Sequence, residues 1–402
     1  MSGWSDVASF AQGSPSAVEA SQMATISRGG VRSVFRVPAV GLAFPAAIFV
    51  GCAYFLFRLG QFGLDFDAYL SGCRALIDGH SPYQPEELRA VLRHGGGVDV
   101  VAPVYPPLTL ILFAPFLLLP HSLAVTLFVG IDLLCVLAVP RVLGVSGWRA
   151  SALVSLTGAG AIAVVFGSVT PLLMLGLACL WRVRDRDGAA AATVAVLVAA
   201  KLFLWPLALW LVLRGRVRAG AYAALLACAL VAVGFLPLGI DGVRDYATTL
   251  GLLARIDETH GYSVVALTLI AGHSVQLGTV FAFVAASLLA LLAVAAQRRG
   301  DELLAFTFAI LVAFAATPIV WAHYFLLLLV PLIVRAPVPS VRWLVALPLV
   351  PMASSSTDQI PWLIPLGVCF MLAIPLVCRV PIAGKTSEGG HDLRDEPPRE
   401  AS

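Results

Sequence analysis

The sequence predicts an all-α, polytopic helical membrane protein with about 12 membrane segments. Three observations carry this expectation. The 402-residue chain is 59% hydrophobic and 12% charged, where a soluble domain carries about 25% charged residues. Its mean hydropathy is +0.92, and apolar runs recur along almost its whole length, which suits a ~30 Å hydrocarbon core. Arginine clusters punctuate those runs at near-regular intervals, as cytoplasmic loops do. The net charge of +3 is thinly spread, so no nucleic-acid partner is implied; the bilayer is the partner that composition requires.

Residues 1–37 are polar and rich in Ser, Gly and Ala, without the basic-apolar-cleavage pattern of a signal peptide. They read as a disordered cytoplasmic leader. A single transmembrane domain follows over 38–380. The charged, Pro-rich tail 381–402 reads as disordered and cytoplasmic. The first span runs from Pro38 to Leu59, with Arg28, Arg32 and Arg36 before it. Its start is therefore cytoplasmic, and residues 60–105 form the first extracytoplasmic loop. Residues 106–119 are apolar, but about 14 helical residues reach only ~21 Å. A shallow or re-entrant helix ending at Pro120-His121 is expected, with Ser122–Val139 crossing back.

From there a rhythm sets in. Basic clusters lie at Arg182/Arg184/Arg186, Arg214/Arg216/Arg218, Arg298/Arg299, Arg335/Arg342 and Arg379/Lys385. Most are separated by an apolar hairpin with a polar or Pro/Gly break at its midpoint: Gly167–Pro171, Lys201, Ala316–His323 and Ser354–Asp358. The longer interval 219–297 holds two spans around an outer loop at Asp257–Ser263. With the arginines inside, both termini are cytoplasmic and every break faces outward, on the side of the first loop.

That loop is polar. Phe66, Tyr69, Leu70, Cys73, Leu76 and Ile77 form a helical stripe, with Gly79 as terminator. A second helix starts at Pro85, with Glu86 and Glu87 suited to its first turn, and ends at His94. Asp65 stands where it would either cap the first of these helices or act as a base at the membrane surface. Asp67, two residues on, does not share its face. Lys201 lies inside an apolar run, at a cost of roughly 2.5–3.5 kcal/mol for a charge at a helix centre. It either snorkels or pairs with a carboxylate such as Asp132, or it faces an anionic substrate. His323 is either a satisfied core histidine or a third member of the outer-face set. The seven cysteines read as small core hydrophobes. Asp65 and Asp67 alone make a poor metal cage, so neither metal nor cofactor is expected.

Together these stretches resemble a known family. Asp65-Phe66-x-x-Tyr69, Gly79-x-x-Pro82-Tyr83 and Tyr105-Pro106-Pro107-Leu108 are similar to the GT-C superfamily of membrane glycosyltransferases, and most to glycosyltransferase family 87. Gly167-Ser168-Val169-Thr170-Pro171-Leu172 resembles that family's Gly-Gln-x-Asn-Pro-Leu, with Ser168 and Thr170 as departures. Ala200–Pro206 resembles its Lys-x-x-Pro stretch, with extra spacing before the proline, and Thr317–His323 its Ser-Pro-Ile-Ser-Trp-x-His. The resemblance implies a GT-C-like fold and a mannosyltransferase or related activity. A sugar on a polyprenyl phosphate would pass to a lipid or glycan acceptor on the outer face of the cell membrane, in cell-envelope synthesis. In that reading Asp65 is the catalytic base, and Lys201 and His323 bind the donor phosphate. Asp67, Tyr69, Tyr83, Tyr105 and Trp321 contact substrate. A lipid-sugar flippase and a non-catalytic assembly protein are the alternatives.

Overall fold

The computed structural model describes residues 39–83, 85–94, 103–145, 148–256, 261–337, 342–343, 345–346 and 363–379. The expected leader 1–37, the tail 381–402, the loop residues 257–260 and the break Ser354–Asp358 lie outside the described residues. Internal contacts separate residues 1–40 from 41–402, and the site described below lies wholly within the second unit.

All regular structure among the described residues is helical. The first part of the chain comprises α1 (Ala39–Arg58), α2 (Leu64–Ile77), α3 (Pro85–His94), α4 (Pro107–Ile111) with a 3-10 turn at Ala114–Leu118, and α5 (His121–Val142). The short segment after Tyr105 is thus broken in two and ends before Pro120. Next come α6 (Trp148–Ser155), α7 (Ala159–Val165), α8 (Thr170–Val183), α9 (Asp187–Ala200), a 3-10 turn at Leu202–Leu204, and α10 (Pro206–Leu213). The remainder is α11 (Val217–Phe235), α12 (Gly239–Ile256), α13 (Val264–Ile270), α14 (Val275–Arg298), α15 (Glu302–Ala316), a 3-10 stretch at Ala322–Leu328, α16 (Leu329–Arg335) and α17 (Leu363–Arg379).

Three of these helices, α5, α11 and α14, are long and apolar enough to cross a membrane. A fourth span results if α6 and α7, bent by 72°, are one interrupted segment. The other apolar helices are shorter, because the polar and proline breaks divide the hairpins into half-length pieces. Proline starts several of those pieces, at Pro107, Pro171 and Pro206, where its missing N–H costs nothing. Ser263, Ser274 and Asp301 cap α13, α14 and α15 by accepting from Ala266, Leu277 and Leu304 N–H groups.

The interval 219–297 holds its two long helices, but the segment between them is larger than a loop. It contains α12, with Asp241, Arg244, Asp245 and Arg255 on its polar side, and Tyr246 and Leu253 buried. Four charges in eighteen residues mark it as an amphipathic helix rather than a span.

Two of the arginine clusters meet at a common carboxylate. Arg184 pairs with Glu302 at 2.9 Å, and Arg214 with the same carboxylate at 2.7 Å. Arg214 also reaches Asp185 at 2.8 Å, and Arg216 pairs with Asp187. This network ties α8, α9, α10 and α15 together at one end. The polar breaks lie at the other end of the same helices: the 14 residues of α9 put Lys201 ~21 Å from Asp187.

Candidate active site

The site begins with a junction between two helix ends. Gly63 (φ +77°) precedes α2, and no side chain caps it. Its N–H donates to the Val165 carbonyl at 2.9 Å, and the Asp65 N–H to the Phe166 carbonyl at 2.9 Å. The first N–H groups of α2 are thus satisfied by the last carbonyls of α7. Asp65 lies in the first turn and is not the cap; its carboxylate is left for other work. Gly167 makes the junction possible, with φ +63° and an added Cβ only 3.0 Å from the Phe66 Cβ. Gly167→Ala should lower the thermal unfolding midpoint by the equivalent of about 1–2 kcal/mol from the left-handed backbone alone. Gly188→Ala, where nothing lies within 4 Å of the new methyl, should leave it unchanged or raise it.

Three charged or titratable groups converge here from distant segments. Asp65 Oδ2 lies 3.7 Å from His323 Nε2, with side-chain exposures of 14% and 3%. Neither atom has a hydrogen-bond partner. Lys201 sits in extended backbone between α9 and the following 3-10 turn, 4% exposed. Its ammonium acts electrostatically on both Asp65 and His323. Burial pushes the Asp65 carboxyl up to about 6, while Lys201 and then the Ser168 and Tyr69 hydroxyls draw it back down. Lys201 does not pair with Asp132, which is fully buried on α5 with neither oxygen hydrogen-bonded. Its ammonium turns to Tyr105 instead, donating to the hydroxyl at 2.7 Å. The rings of Tyr324 and Tyr105 lie 3.9 and 4.3 Å from the nitrogen, and Trp321 5.6 Å. Such faces offset part of the lost hydration of a cation.

The aromatic residues divide into two kinds. Tyr69 and Tyr105 are buried, with hydroxyls 2.9 Å apart. Tyr83 packs against Phe235 and Tyr246 and donates to the Tyr105 carbonyl at 2.7 Å. It fixes the backbone that carries Tyr105. Trp321 is half-buried, its ring 5.7 Å from His323. Asp67 stands apart: about half exposed, it meets His121 Nε2 at 2.7 Å on the rim.

A pocket of about 210 Å³ adjoins the cluster, with Lys201, Phe203, Trp205, Tyr246, Leu250 and Tyr324 on its wall. Asp65 and His323 do not line it; Lys201 and Tyr324 are what it shares with the charged group. The wall is mostly apolar, with one cation, which suits an amphiphile bearing a negative head. Among the described residues no group of three His, Cys, Asp or Glu side chains could hold a metal ion.

Several contributors carry little signal in the sequence. Thr109, within α4, donates its hydroxyl to the Ala199 and Ala200 carbonyls at 3.3 and 3.2 Å. Those carbonyls lose their helical partners where α9 stops, so Thr109 secures the Lys201 break. Tyr324 stacks on Phe203 at 5.3 Å and faces the ammonium; its place directly after His323 was the available signal. Tyr246 reaches the pocket from α12, and only the apolar stripe of that helix hinted at it.

Fold and site together have the build of a membrane-embedded enzyme: an all-helical bundle whose breaks bring an acid, an imidazole and an ammonium to one end. The chain belongs to glycosyltransferase family 87, whose sequence model matches residues 104–331, more than half its length. It is a membrane glycosyltransferase of GT-C-like type. No curated protein and no solved structure matches the chain. The matched region includes Tyr105, Lys201, Trp321 and His323 but begins after Asp65, so the case for Asp65 rests on its position.

Proposed function

We propose that the protein transfers mannose, or a similar hexose or pentose, from a polyprenyl-phosphate donor to a lipid or glycan acceptor. Transfer takes place on the outer face of the cell membrane, with both termini cytoplasmic and the short helices completing about 12 membrane segments. The observation that carries the reading is the meeting of Asp65 and His323 at 3.7 Å, within the field of Lys201.

The acceptor hydroxyl is held against Asp65, which takes its proton as the oxygen attacks the anomeric carbon. The sugar–phosphate bond breaks on the opposite face, so the anomeric centre inverts. Lys201 and His323 meet the charge that develops on the departing lipid phosphate, as fixed donors in a partly dry site. The pocket beside Lys201 takes the first part of the lipid. Trp321 offers a face to the sugar, Tyr83 and Tyr105 back the pocket from behind its wall, Tyr69 backs Asp65, and Asp67 on the rim meets the acceptor as it enters.

The direct test is transfer from radiolabelled polyprenyl-phosphate mannose or arabinose by protein in nanodiscs, with the product identified by mass spectrometry. Release of sugar only to water, or transbilayer movement of the lipid without transfer, would rule the reading out. A base must be ionised to act, and Asp65 titrates near 6. The single-turnover rate should therefore be level above about pH 7 and fall tenfold per pH unit well below about 6. A flat profile between pH 5 and 8 would exclude Asp65 as the base.

A further inference from the structure

Tyr69 and Tyr105 stand between Asp65 and Lys201, and the steps above give their hydroxyls no part. Tyr69 is one turn from Asp65 on the same face of α2. Its hydroxyl lies 2.9 Å from that of Tyr105, which Lys201 Nζ reaches at 2.7 Å. Exposure is 1% for Tyr69, 2% for Tyr105 and 4% for Lys201, so bulk water does not interrupt the line.

Counting hydrogens shows what the line can do. An ammonium has only hydrogens to give. The same holds for the Val169 N–H, which donates to the Tyr69 hydroxyl at 3.3 Å. Each phenol oxygen thus accepts one bond from a fixed donor and keeps one hydrogen of its own. With Tyr69 donating to Tyr105 the link runs in one sense; rotating both hydroxyls reverses it and aims the Tyr69 hydrogen at Asp65. A chain with two such senses can pass a proton and be reset.

We propose that Tyr69 and Tyr105 form a proton relay from Asp65 to Lys201, delivering to the leaving lipid phosphate the proton taken from the acceptor. This rests on the glycosyl-transfer reading and adds the route by which the leaving group is neutralised. The step balances. The acceptor oxygen bonds to the anomeric carbon, and the carbon–phosphate oxygen bond breaks with its electron pair on phosphate. The acceptor proton goes to Asp65. Lys201 gives one to the phosphate oxygen, and the lone pair this leaves on Nζ turns to Tyr105; Tyr105 then gives its own to Lys201, Tyr69 gives its own to Tyr105, and Asp65 passes the acceptor proton to Tyr69. Every side chain ends as it began, and phosphate leaves singly protonated. Because a free phenol has pKa ≈ 10, the hops are concerted and no phenolate accumulates.

Both tyrosines act through other groups, so the test must separate a relay from a brace. Wild type, Tyr69→Phe and Tyr105→Phe are compared in nanodiscs with polyprenyl-phosphate mannose as donor and octyl mannoside as acceptor, or the arabinose donor if that is the active one. In each variant kcat should fall about 10²-fold, the lower end for a positioned proton-transfer group, with donor KM within twofold of wild type. Rates in H₂O–D₂O mixtures should curve with deuterium content in wild type, as several protons move together, and become linear in both variants. Tyr105→2,3-difluorotyrosine keeps the ring and its bonds but makes the phenol more acidic; its kcat should change with an unaltered unfolding midpoint. Loss of kcat with rising KM and preserved curvature would overturn the relay in favour of a brace, and so would wild-type kcat in all three variants. A wild-type protein that transfers no sugar from any polyprenyl phosphate would overturn the glycosyl-transfer reading and the relay together.

Discussion

Asp65→Asn is expected to slow transfer by about 10²–10⁴-fold, the usual contribution of a positioned general base. The amide matches the carboxylate in shape but does not accept the proton of the attacking hydroxyl. Loss of fold does not account for such a result. Asp65 holds its place through backbone bonds to the Phe166 carbonyl, which the substitution leaves alone. The linkage has a definite sign. Burial raises the folded-state pKa from 3.8 to about 6, so the stability this group confers is complete below about 4 and lost as pH rises through about 6. At pH 7 the ionised carboxylate is a burden on the folded state, and the amide variant should unfold no earlier than wild type. Donor affinity should also stay near its wild-type value, because Lys201 and His323 are intact. Turnover within a few-fold of wild type would remove Asp65 from the chemistry.

Lys201→Met is expected to weaken binding of polyprenyl phosphate by about 10- to 100-fold. A hydrogen bond to a charged group contributes roughly 1.5–3 kcal/mol, and each 1.4 kcal/mol is tenfold in affinity. A second effect separates this from simple pocket damage. Lys201 is the largest influence holding the Asp65 carboxyl down. Without it the acid limb of the rate profile should move to higher pH. Methionine fills a similar volume but leaves the buried Asp65 carboxyl without its cation, so a lower unfolding midpoint accompanies the change, and the binding and pH readouts carry the test. Titration of the variant with polyprenyl phosphate, alongside its pH profile, reads both effects. Unchanged affinity and an unmoved limb would assign Lys201 to the structure alone.

Much of this was legible in the chain. The breaks at Gly167–Pro171, Lys201 and Thr317–His323 are visible as polar or proline interruptions of apolar runs, and the structure gathers them at the end opposite the Arg184–Arg214–Glu302 network. One charge rule carried that, because a cluster of arginines resists crossing a membrane wherever it occurs in the chain. Two alternatives left open by the sequence are decided by packing. Asp65 is not the N-cap, a place taken by Gly63, because the carbonyls of α7 reach the first turn of α2. Lys201 is not paired with Asp132, which keeps no hydrogen-bond partner, and meets Tyr105 instead. Tyr246 and Thr109 come from segments whose local pattern is only that of an amphipathic helix and a helix start.

Sequence alone settled the helical membrane class, the places where the helices break, and which residues carry uncommon polar groups there. Those are local matters, set by hydropathy, proline and the cost of placing charge among apolar neighbours. Tertiary structure alone decided that Asp65 lies 3.7 Å from His323, that Tyr105 rather than Asp132 meets Lys201, and that Asp67 turns outward to His121. Residues more than 250 positions apart touch only through the packing of whole helices. No window along the chain contains that information, because it resides in how every helix end is satisfied by another.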